Sequence, residues 1–555
     1  MNLFNLIIEC KNYTPHKPST MKRRDLIKNL AVLPMAGSFL PIDSFLTASA
    51  GPLTPGPTIY QSIGVEPVIN CVGTYTIIGG SLERPEVVAA MHAASGFFVQ
   101  YDELAFGVGK RLAEITGAEW GMVSSGCAAG MKHATAACIT GGNPEKLIRI
   151  PDLRGFDKTE VVIPRSSRNV YDHAIRNIGA TIITVDTLDE LRNALNSRTA
   201  MIYLNAGSET LPGEKFALET IAGIARPKGI PILIDAAAED LTIPNIHLKQ
   251  GADIVAYSGG KALCGPQCAG LLLGRKDLLM SAWQASSPHH GPGRDNKVGK
   301  EEMMGMLAAV ESWATRDHAE KHKTWHTWLE TISKQVLSVN GLKTLINEPH
   351  GLSNNSPSLT ISWDPANFNL TGPQVGEELA SKQPRIALHS SHNDETGISS
   401  VTISTGQMQP GNEKVVADRL IAFFSQKHEK LAGMNPPSVN ISGHWDVDIE
   451  FYSSKSRHTF FLEQDGNWIK GSHNGDFSLR EMVGSIENNQ VKLSSSDGHI
   501  ADNILFVFSG TVAADSMSGD IYMGEYIRAK FNASRHQQKG IRRAIKFPKS
   551  QPLSS

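Results

Sequence analysis

Lys261 stands alone in a glycine turn. The stretch ADIVAYSGGKALCGPQCAGLLLGRKDLL (252–279) carries two apolar runs, 254–257 and 269–273, that predict buried strands. Between them Ser258-Gly259-Gly260 precede the lysine, and Gly265-Pro266 force the chain to turn. A turn between two core strands is largely buried, and a buried ammonium is costly unless it is paired or neutralised. Lysine lowers its pKa readily under desolvation, which suits it to act as a base or to form a Schiff base. The two glycines before it let backbone or a ligand come close. Two further groups could do chemistry. Asp235 closes the apolar strand GIPILI and is followed by three alanines; a carboxylate there either caps a helix or needs a cationic partner. Ser124-Ser125-Gly126-Cys127-Ala128-Ala129-Gly130 follows the short strand GMV and opens a helix, so its small residues offer backbone N–H groups to an anion, usually phosphate.

Ligands of α/β sheets sit at the carboxyl ends of the strands. A phosphate cradle, then a strand-end aspartate, then a turn lysine about 25 residues on, is the set that pyridoxal 5'-phosphate requires: an anchor for its phosphate, a carboxylate for its pyridine nitrogen and an amine for its aldehyde. On this reading Lys261 is there to make an imine, and the glycines leave room for the cofactor.

The elements that must position these groups are legible in outline. Over 57–427 short apolar strands alternate with helical stretches such as YDELAFGVGKRLAEITGA and GEKFALETIAGIARPKG, which end near glycine. Such alternation predicts a mostly parallel sheet with helices on both faces. A large domain is expected over 57–341 and a small α+β lobe over 342–430, containing the strands SPSLTISW and SSVTISTG and the helix NEKVVADRLIAFFSQK. The composition shifts at MNPPSVN (434–440), a linker. Beyond it, over 440–535, short strands separated by Asp-Gly, Asn-Asn and Ser-Gly turns predict an antiparallel meander closed into a barrel or sandwich, with Trp445, Phe451, Phe460, Trp468, Phe508, Tyr522 and Tyr526 as its core. Residues 536–555 form a basic tail.

The bulk numbers bound the rest. The 555 residues exceed one ordinary domain, and 41% hydrophobic with 19% charged residues is a globular composition. A net charge of -2 offers no bulk attraction for nucleic acid. Beyond the N-terminus no apolar run is long enough to span a bilayer. In MKRRDLIKNLAVLPMAGSFLPIDSFLTASA (21–50), Arg23-Arg24 precede Leu26, Ile27 and Lys28, an apolar stretch follows, and Ala48-Ser49-Ala50 forms an A-x-A cleavage pattern. This reads as a twin-arginine signal, so the expected location is periplasmic. Met21 makes a natural start, which would leave residues 1–20 as an untranslated extension. The six cysteines form no disulfide framework. Cys264 and Cys268 have no matching histidine or cysteine cluster beside them, and no metal centre is expected.

Three stretches carry a family resemblance: VINCVGTYT (68–76), RLAEITGAEWGMVSSGCAAG (111–130) and SGGKALCGPQCAGLLLGRKDL (258–278). Over about 57–427, and not in the barrel, the chain resembles fold-type-I pyridoxal phosphate enzymes. Among these it looks most like the group of bacterial selenocysteine synthase (L-seryl-tRNA selenium transferase) and D-glucosaminate-6-phosphate ammonia lyase, close to the class V aminotransferases. The fold class this implies is an α/β PLP-dependent transferase fold with a small α+β lobe, here followed by an all-β barrel-like domain. Carried over residue by residue, the resemblance implies that Lys261 forms the internal aldimine and moves protons at the substrate's α carbon, and that Asp235 holds the pyridine nitrogen. Ser125, Gly126 and Cys127 face the phosphate, joined by Ser258. The selenocysteine synthase turn is asparagine-rich, whereas this one reads Ser-Gly-Cys. A ring-stacking residue is expected from RSSRNVYDHAIRNIGA, either His173 or Tyr171, with His173 favoured; a histidine on the helix surface is the plainer reading of the same residue. Arg385 could dock a substrate carboxylate. Arg294 and Lys297, in GPGRDNKVGKEE, could reach a neighbouring subunit's site in a homodimer or higher oligomer. The expected activity is α,β-elimination of ammonia-lyase type, or β-replacement, on a small amino acid or amino-sugar acid. An export signal and near-neutral charge argue against a tRNA substrate. A PLP-dependent aminotransferase, or a non-catalytic exported protein binding through its barrel, are the alternatives.

Overall fold

A computed structural model describes residues 51–429, 433–496, 501 and 504–537. The export signal, the possible upstream extension and nearly all of the basic tail lie outside the described residues. Contacts divide the chain into two compact units, one ending before residue 432 and one formed by the barrel beyond it.

The larger unit holds two sheets. The seven-stranded sheet contains β2 (Trp120–Ser124), β3 (Glu160–Pro164), β4 (Thr181–Val185), β5 (Thr199–Asn205), β6 (Ile232–Asp235), β7 (Ile254–Ser258) and β8 (Gly270–Gly274) in the order β2-β8-β7-β6-β5-β3-β4. Its pairings from β4 to β7 are parallel, and β8 runs antiparallel to both β2 and β7. Strands β3 and β6 are buried at every position, which is why they read as unbroken apolar runs instead of alternating ones. The one carboxylate inside β3, Glu160, pairs with Arg198 and accepts a hydrogen bond from Asn196.

Four principal helices of this unit matter for the site: α1 (Pro85–Ser95), α2 (Tyr101–Thr116), α3 (Gly126–Thr140) and α4 (Lys300–Thr315). Helix α2 ends as its sequence predicts, on Gly117 in the left-handed region (φ 73°). Helix α3 is buried along almost its whole length because its residues are small.

The second sheet of this unit is five-stranded, with β1 (Ile69–Cys71), β9 (Lys343–Asn347), β10 (Ser358–Trp363), β11 (Ile386–Asn393) and β12 (Ile398–Ser404) in the order β1-β11-β12-β10-β9. Strand β1, from the N-terminal side of the large lobe, pairs parallel with β11. Trp363, Leu379, Val401 and Phe424 centre its core. Among the described residues no helix is long and apolar enough to cross a membrane.

The smaller unit is a closed antiparallel barrel of eight strands, β13 (Gly443–Glu450), β14 (Lys455–Asp465), β15 (Trp468–Asn474), β16 (Leu479–Glu487), β17 (Gln490–Ser496), β18 (Phe506–Ala513), β19 (Ser516–Met523) and β20 (Tyr526–Arg535). Each strand pairs with the next, and β13 pairs with β20 to close the ring. Closure leaves no free edge. Trp445, Phe460 and Phe508 face its interior, whereas Tyr526 is exposed.

The barrel interior also holds a polar chain. Ser495 Oγ lies 2.6 Å from His473 Nδ1, His473 Nε2 lies 2.7 Å from His458 Nδ1, and His458 Nε2 lies 3.4 Å from the half-exposed Asp476. Arg480 lies over the Phe506 ring beside them. Burial, then the charges of His458 and Arg480, pull His473 down to about 3, against a weaker opposing pull from Asp476. The folded barrel therefore keeps His473 neutral at pH values where the unfolded chain protonates it. Its contribution is fully present above about pH 6.5 and is lost as the pH falls toward 3, at about 1.4 kcal/mol per pH unit. Urea melts followed by tryptophan fluorescence between pH 7.5 and 5 should show this slope, and His473→Gln should flatten it. An unchanged slope in that variant would refute the assignment.

Candidate active site

Three strand ends and one helix start meet at one edge of the seven-stranded sheet. Register sets Asn205 of β5, Asp235 of β6 and Ala256 of β7 level with one another. Asp235 is the last residue of β6 and is 5% exposed. Its Oδ2 accepts a hydrogen bond from the Tyr203 hydroxyl at 3.1 Å, and its Oδ1 accepts one from the Ala237 N–H at 3.0 Å. The Cys127 thiol lies 3.6 Å from the same Oδ1. Burial pushes the Asp235 carboxyl above its ordinary range, and the Ala237 N–H, the charge of Lys261, Tyr203 and Cys127 pull it back. The Cys127 thiol and the Tyr203 phenol are pushed well up, first by burial and then by Asp235. The pocket thus holds a carboxylate whose charge burial disfavours and whose hydrogen bonds, together with a nearby cation, favour.

Lys261 is the cation whose charge reaches Asp235. It follows β7 after two glycines, is partly buried, and makes no hydrogen bond or ion pair through its ammonium among the described residues. The turn is held from the N-terminal side. Asn70 folds the chain after β1 by accepting from the Val72 and Gly73 N–H groups, both at 3.0 Å. Ser81 N–H then donates to Gly260 O at 3.0 Å, and Gln267 Nε2 donates to Thr76 O. The resemblance-bearing stretches 68–76 and 258–278 are therefore in contact.

Helix α3 supplies the third component. Its N-cap, Ser125, makes no side-chain capping bond, so the first N–H groups of the helix are not satisfied from that side chain. Gly126 sits at φ +83°, and a Cβ there would meet nothing within 4 Å. Open space in front of a 15-residue helix's N-terminus, beside a buried carboxylate and a partner-free lysine, fits a phosphate-bearing pyridine aldehyde in each of its three parts. Gly270 of β8 backs the cradle, since a Cβ there would stand 2.4 Å from Gly126 C and 2.6 Å from Cys127 N. Gly270→Ala should weaken cofactor binding by roughly tenfold or more, because overpacking of this kind costs about 1–3 kcal/mol. Titrating apo protein with pyridoxal phosphate would measure it, with Gly207→Ala, whose Cβ meets nothing, as control.

The other residues expected at the site fall less evenly. Ser258 closes β7, two positions before the lysine's glycine pair ends. The side chain of Cys127 turns to Asp235, leaving its main-chain N–H to the cradle. The loop 165–172 does come over the site, but Asn169 makes the contact, 3.4 Å from both Tyr203 Oη and Asn205 Oδ1. His173 heads a short helix and is exposed, next to Asp172, which is buried between Arg168 and Arg176. Tyr171 is also exposed. Arg294 and Lys297 are exposed, and Arg294 reaches Ser287 Oγ at 3.4 Å. Their segment is tied to α3 through Lys132, whose ammonium donates to Asp295 and Asn296.

Arg385 needs correction as a substrate dock. It is 8% exposed, and its guanidinium donates to Ala380 O at 3.0 Å and Glu66 O at 2.8 Å, so it ties main chain instead of presenting an open fork. His389 lies in β11 with its ring edge-on to Tyr75.

Sequence reasoning missed Tyr203 and Asn169. It also missed two cations behind the lysine turn. Arg316 donates to Leu263 O and stacks on Trp313, while its Nε and Nη1 are buried without partners. Lys321 lies over the Trp325 ring, and burial lowers its pKa. The only available signal was Tyr203 standing two residues before the end of the apolar strand AMIYLN.

Comparison with known proteins bears on the fold and the cofactor. Residues 173–297 match the family model of class V aminotransferases. The chain is 31% identical over 295 residues to the D-glucosaminate-6-phosphate ammonia lyase of Salmonella typhimurium, covering 52% of this chain and 77% of that one. It is 28% identical to a 5'-C-glycyluridine monooxygenase-decarboxylase of a Streptomyces species, covering 65% of this chain and 90% of the other. A solved D-glucosaminate-6-phosphate ammonia-lyase superposes with a TM-score of 0.59 at 27% identity, over 67% of this chain and 98% of that one. The fold and these relatives define a fold-type-I enzyme whose cofactor is pyridoxal 5'-phosphate. Within that class the chain belongs to the family of the D-glucosaminate-6-phosphate ammonia lyases, to which the selenocysteine synthases are also related.

Proposed function

We propose that the chain is an exported PLP-dependent enzyme that acts by α,β-elimination, or by β-replacement, on a small amino acid or amino-sugar acid. The observation that carries this reading is the meeting of buried Asp235, partner-free Lys261 and the uncapped start of α3 at one sheet edge, in a chain related to an ammonia lyase. The bound cofactor supplies an electron sink for a carbanion at the substrate's α carbon.

The chain's residues divide the remaining work. With the cofactor bound, Lys261 Nζ would hold its aldehyde carbon and would serve as the base for the substrate's α proton. Asp235, steadied by Tyr203 and the Ala237 N–H, would face the ring nitrogen and favour its protonated form. Ser125, Gly126, the Cys127 N–H and Ser258 would hold the phosphate, and the loop 165–172, which reaches the site through Asn169, would cover the ring. Loss of the α hydrogen and the β substituent leaves a carbon–carbon double bond, and hydrolysis of the resulting enamine releases a 2-oxo acid and ammonia.

Further parts of the proposal rest on the sequence. The Arg23-Arg24 signal supports twin-arginine export to the periplasm, which together with a net charge of -2 disfavours tRNA as substrate. Exposed Phe97, Phe98 and Val99 in the larger unit support a homodimer, in which Arg294 and Lys297 would face the partner's site. Light scattering on the purified chain tests the dimer.

The activity test is a screen of amino acids and amino-sugar acids for paired release of 2-oxo acid and ammonia. Ammonia without any added acceptor supports elimination. A strict requirement for a 2-oxo acid acceptor, with no ammonia, would instead establish the aminotransferase reading that the class V match favours.

A further inference from the structure

No metal centre is expected from the sequence, because Cys264 and Cys268 have no matching histidine or cysteine cluster beside them. Barrel closure brings together three candidate ligands elsewhere. The first strand, β13, and the last, β20, pair so that Trp445 lies opposite Arg535, and the His536 N–H donates to His444 O at 2.9 Å. Trp445 points inward and is fully buried. Its neighbours His444 and Asp446 therefore point outward, beside His536 just past the end of β20.

The three side chains already converge. His444 and His536 stack with ring centroids 4.2 Å apart. His536 Nδ1 lies 3.1 and 3.0 Å from the two Asp446 oxygens. One ligand atom from each residue lies within 4.8 Å of the others. Bonds of about 2.0–2.2 Å at a tetrahedral ion place neighbouring ligand atoms about 3.3 Å apart, so the Asp446–His536 pair is near that separation and only the His444 ring needs to turn. The backbone behind them is stiff. Arg535 lies over the Trp445 ring at 4.6 Å and donates to Ser442 O and Asn440 O, and Trp445 Nε1 donates to Ile441 O. The nearby cation Arg457 is paired with Asp448.

We propose that His444, Asp446 and His536 bind a divalent transition metal, of the zinc, nickel or copper class, at the barrel seam. Two imidazoles and one carboxylate suit such borderline ions and not calcium or magnesium. Water fills the remaining position. The ion cross-links the first and last strands of the barrel, through His444 and Asp446 on β13 and His536 just past the end of β20.

The test uses the full chain, stripped with chelator, and cobalt(II) and zinc(II) as probes. One cobalt per chain with visible ligand-field bands, displaced by zinc and not by calcium, is the expected result. His444→Ala and His536→Ala should each lower cobalt affinity at least tenfold. Far-UV circular dichroism should be unchanged in both, because both side chains are exposed. His444→Gln, which keeps the volume, should lose affinity equally. Zinc should raise the barrel's melting temperature in the wild type and not in the variants. Binding that is absent, or that survives both alanine substitutions, overturns the proposal.

Discussion

Lys261→Ala protein is expected to bind pyridoxal phosphate without any covalent link to the chain. Helix α3 and Asp235 remain to hold the phosphate and the ring, so the cofactor still associates. Borohydride should no longer fix it to the protein, whereas it should do so in the wild type. Turnover should fall by about 10²–10⁴-fold, the range contributed by a positioned proton-transfer group. Added small amines should restore part of it, since they replace the missing base. A reducible link that persists in this variant would place the reactive lysine elsewhere. Full activity would falsify the role given to Lys261.

Asp235→Asn is the second large expected effect, and it separates stability from function. The amide keeps the shape and can still accept the Ala237 N–H. It removes a charge that burial disfavours, as the raised pKa of Asp235 shows. The apo protein should therefore be at least as stable as wild type. Its turnover should drop about 10²–10³-fold, the usual loss when one fixed electrostatic partner of a reacting centre is removed. Tyr203→Phe, which removes only the hydroxyl bonded to Asp235, should cost much less. Melting curves and steady-state rates on the three proteins decide the matter. A fully active Asp235→Asn variant would show that the carboxylate does not govern the ring.

The chemistry-bearing residues were legible because local signals marked them. Asp235 ends an unbroken apolar strand, Lys261 follows two glycines between two more, and SSGCAA opens a helix. Each reflects the burial of its own strand, which the residue types report directly. The partners of those residues were not legible. Tyr203 and Asn169 reach Asp235 and Tyr203 only because β3, β5 and β6 lie side by side, and strand order is not written in any one strand. Arg385 looked available because an arginine's type does not say whether main-chain carbonyls will claim it, as those of Ala380 and Glu66 do.

The barrel divides in the same way. Alternating residues and Asp-Gly and Ser-Gly turns announced a meander, and left barrel and sandwich open. Closure came from the pairing of β13 with β20, a contact across some 90 residues that alternation cannot encode. That contact also gathers His444, Asp446 and His536, and the curl of β14 to β17 gathers Ser495, His473, His458 and Asp476. By itself, then, the sequence determined which strands are buried, where turns fall and which residues could anchor a phosphate, a ring nitrogen and an aldehyde, since these follow from local period and side-chain type. The tertiary structure alone decided which side chains meet, because that depends on strand order, register and closure, properties of pairs of segments far apart in the chain.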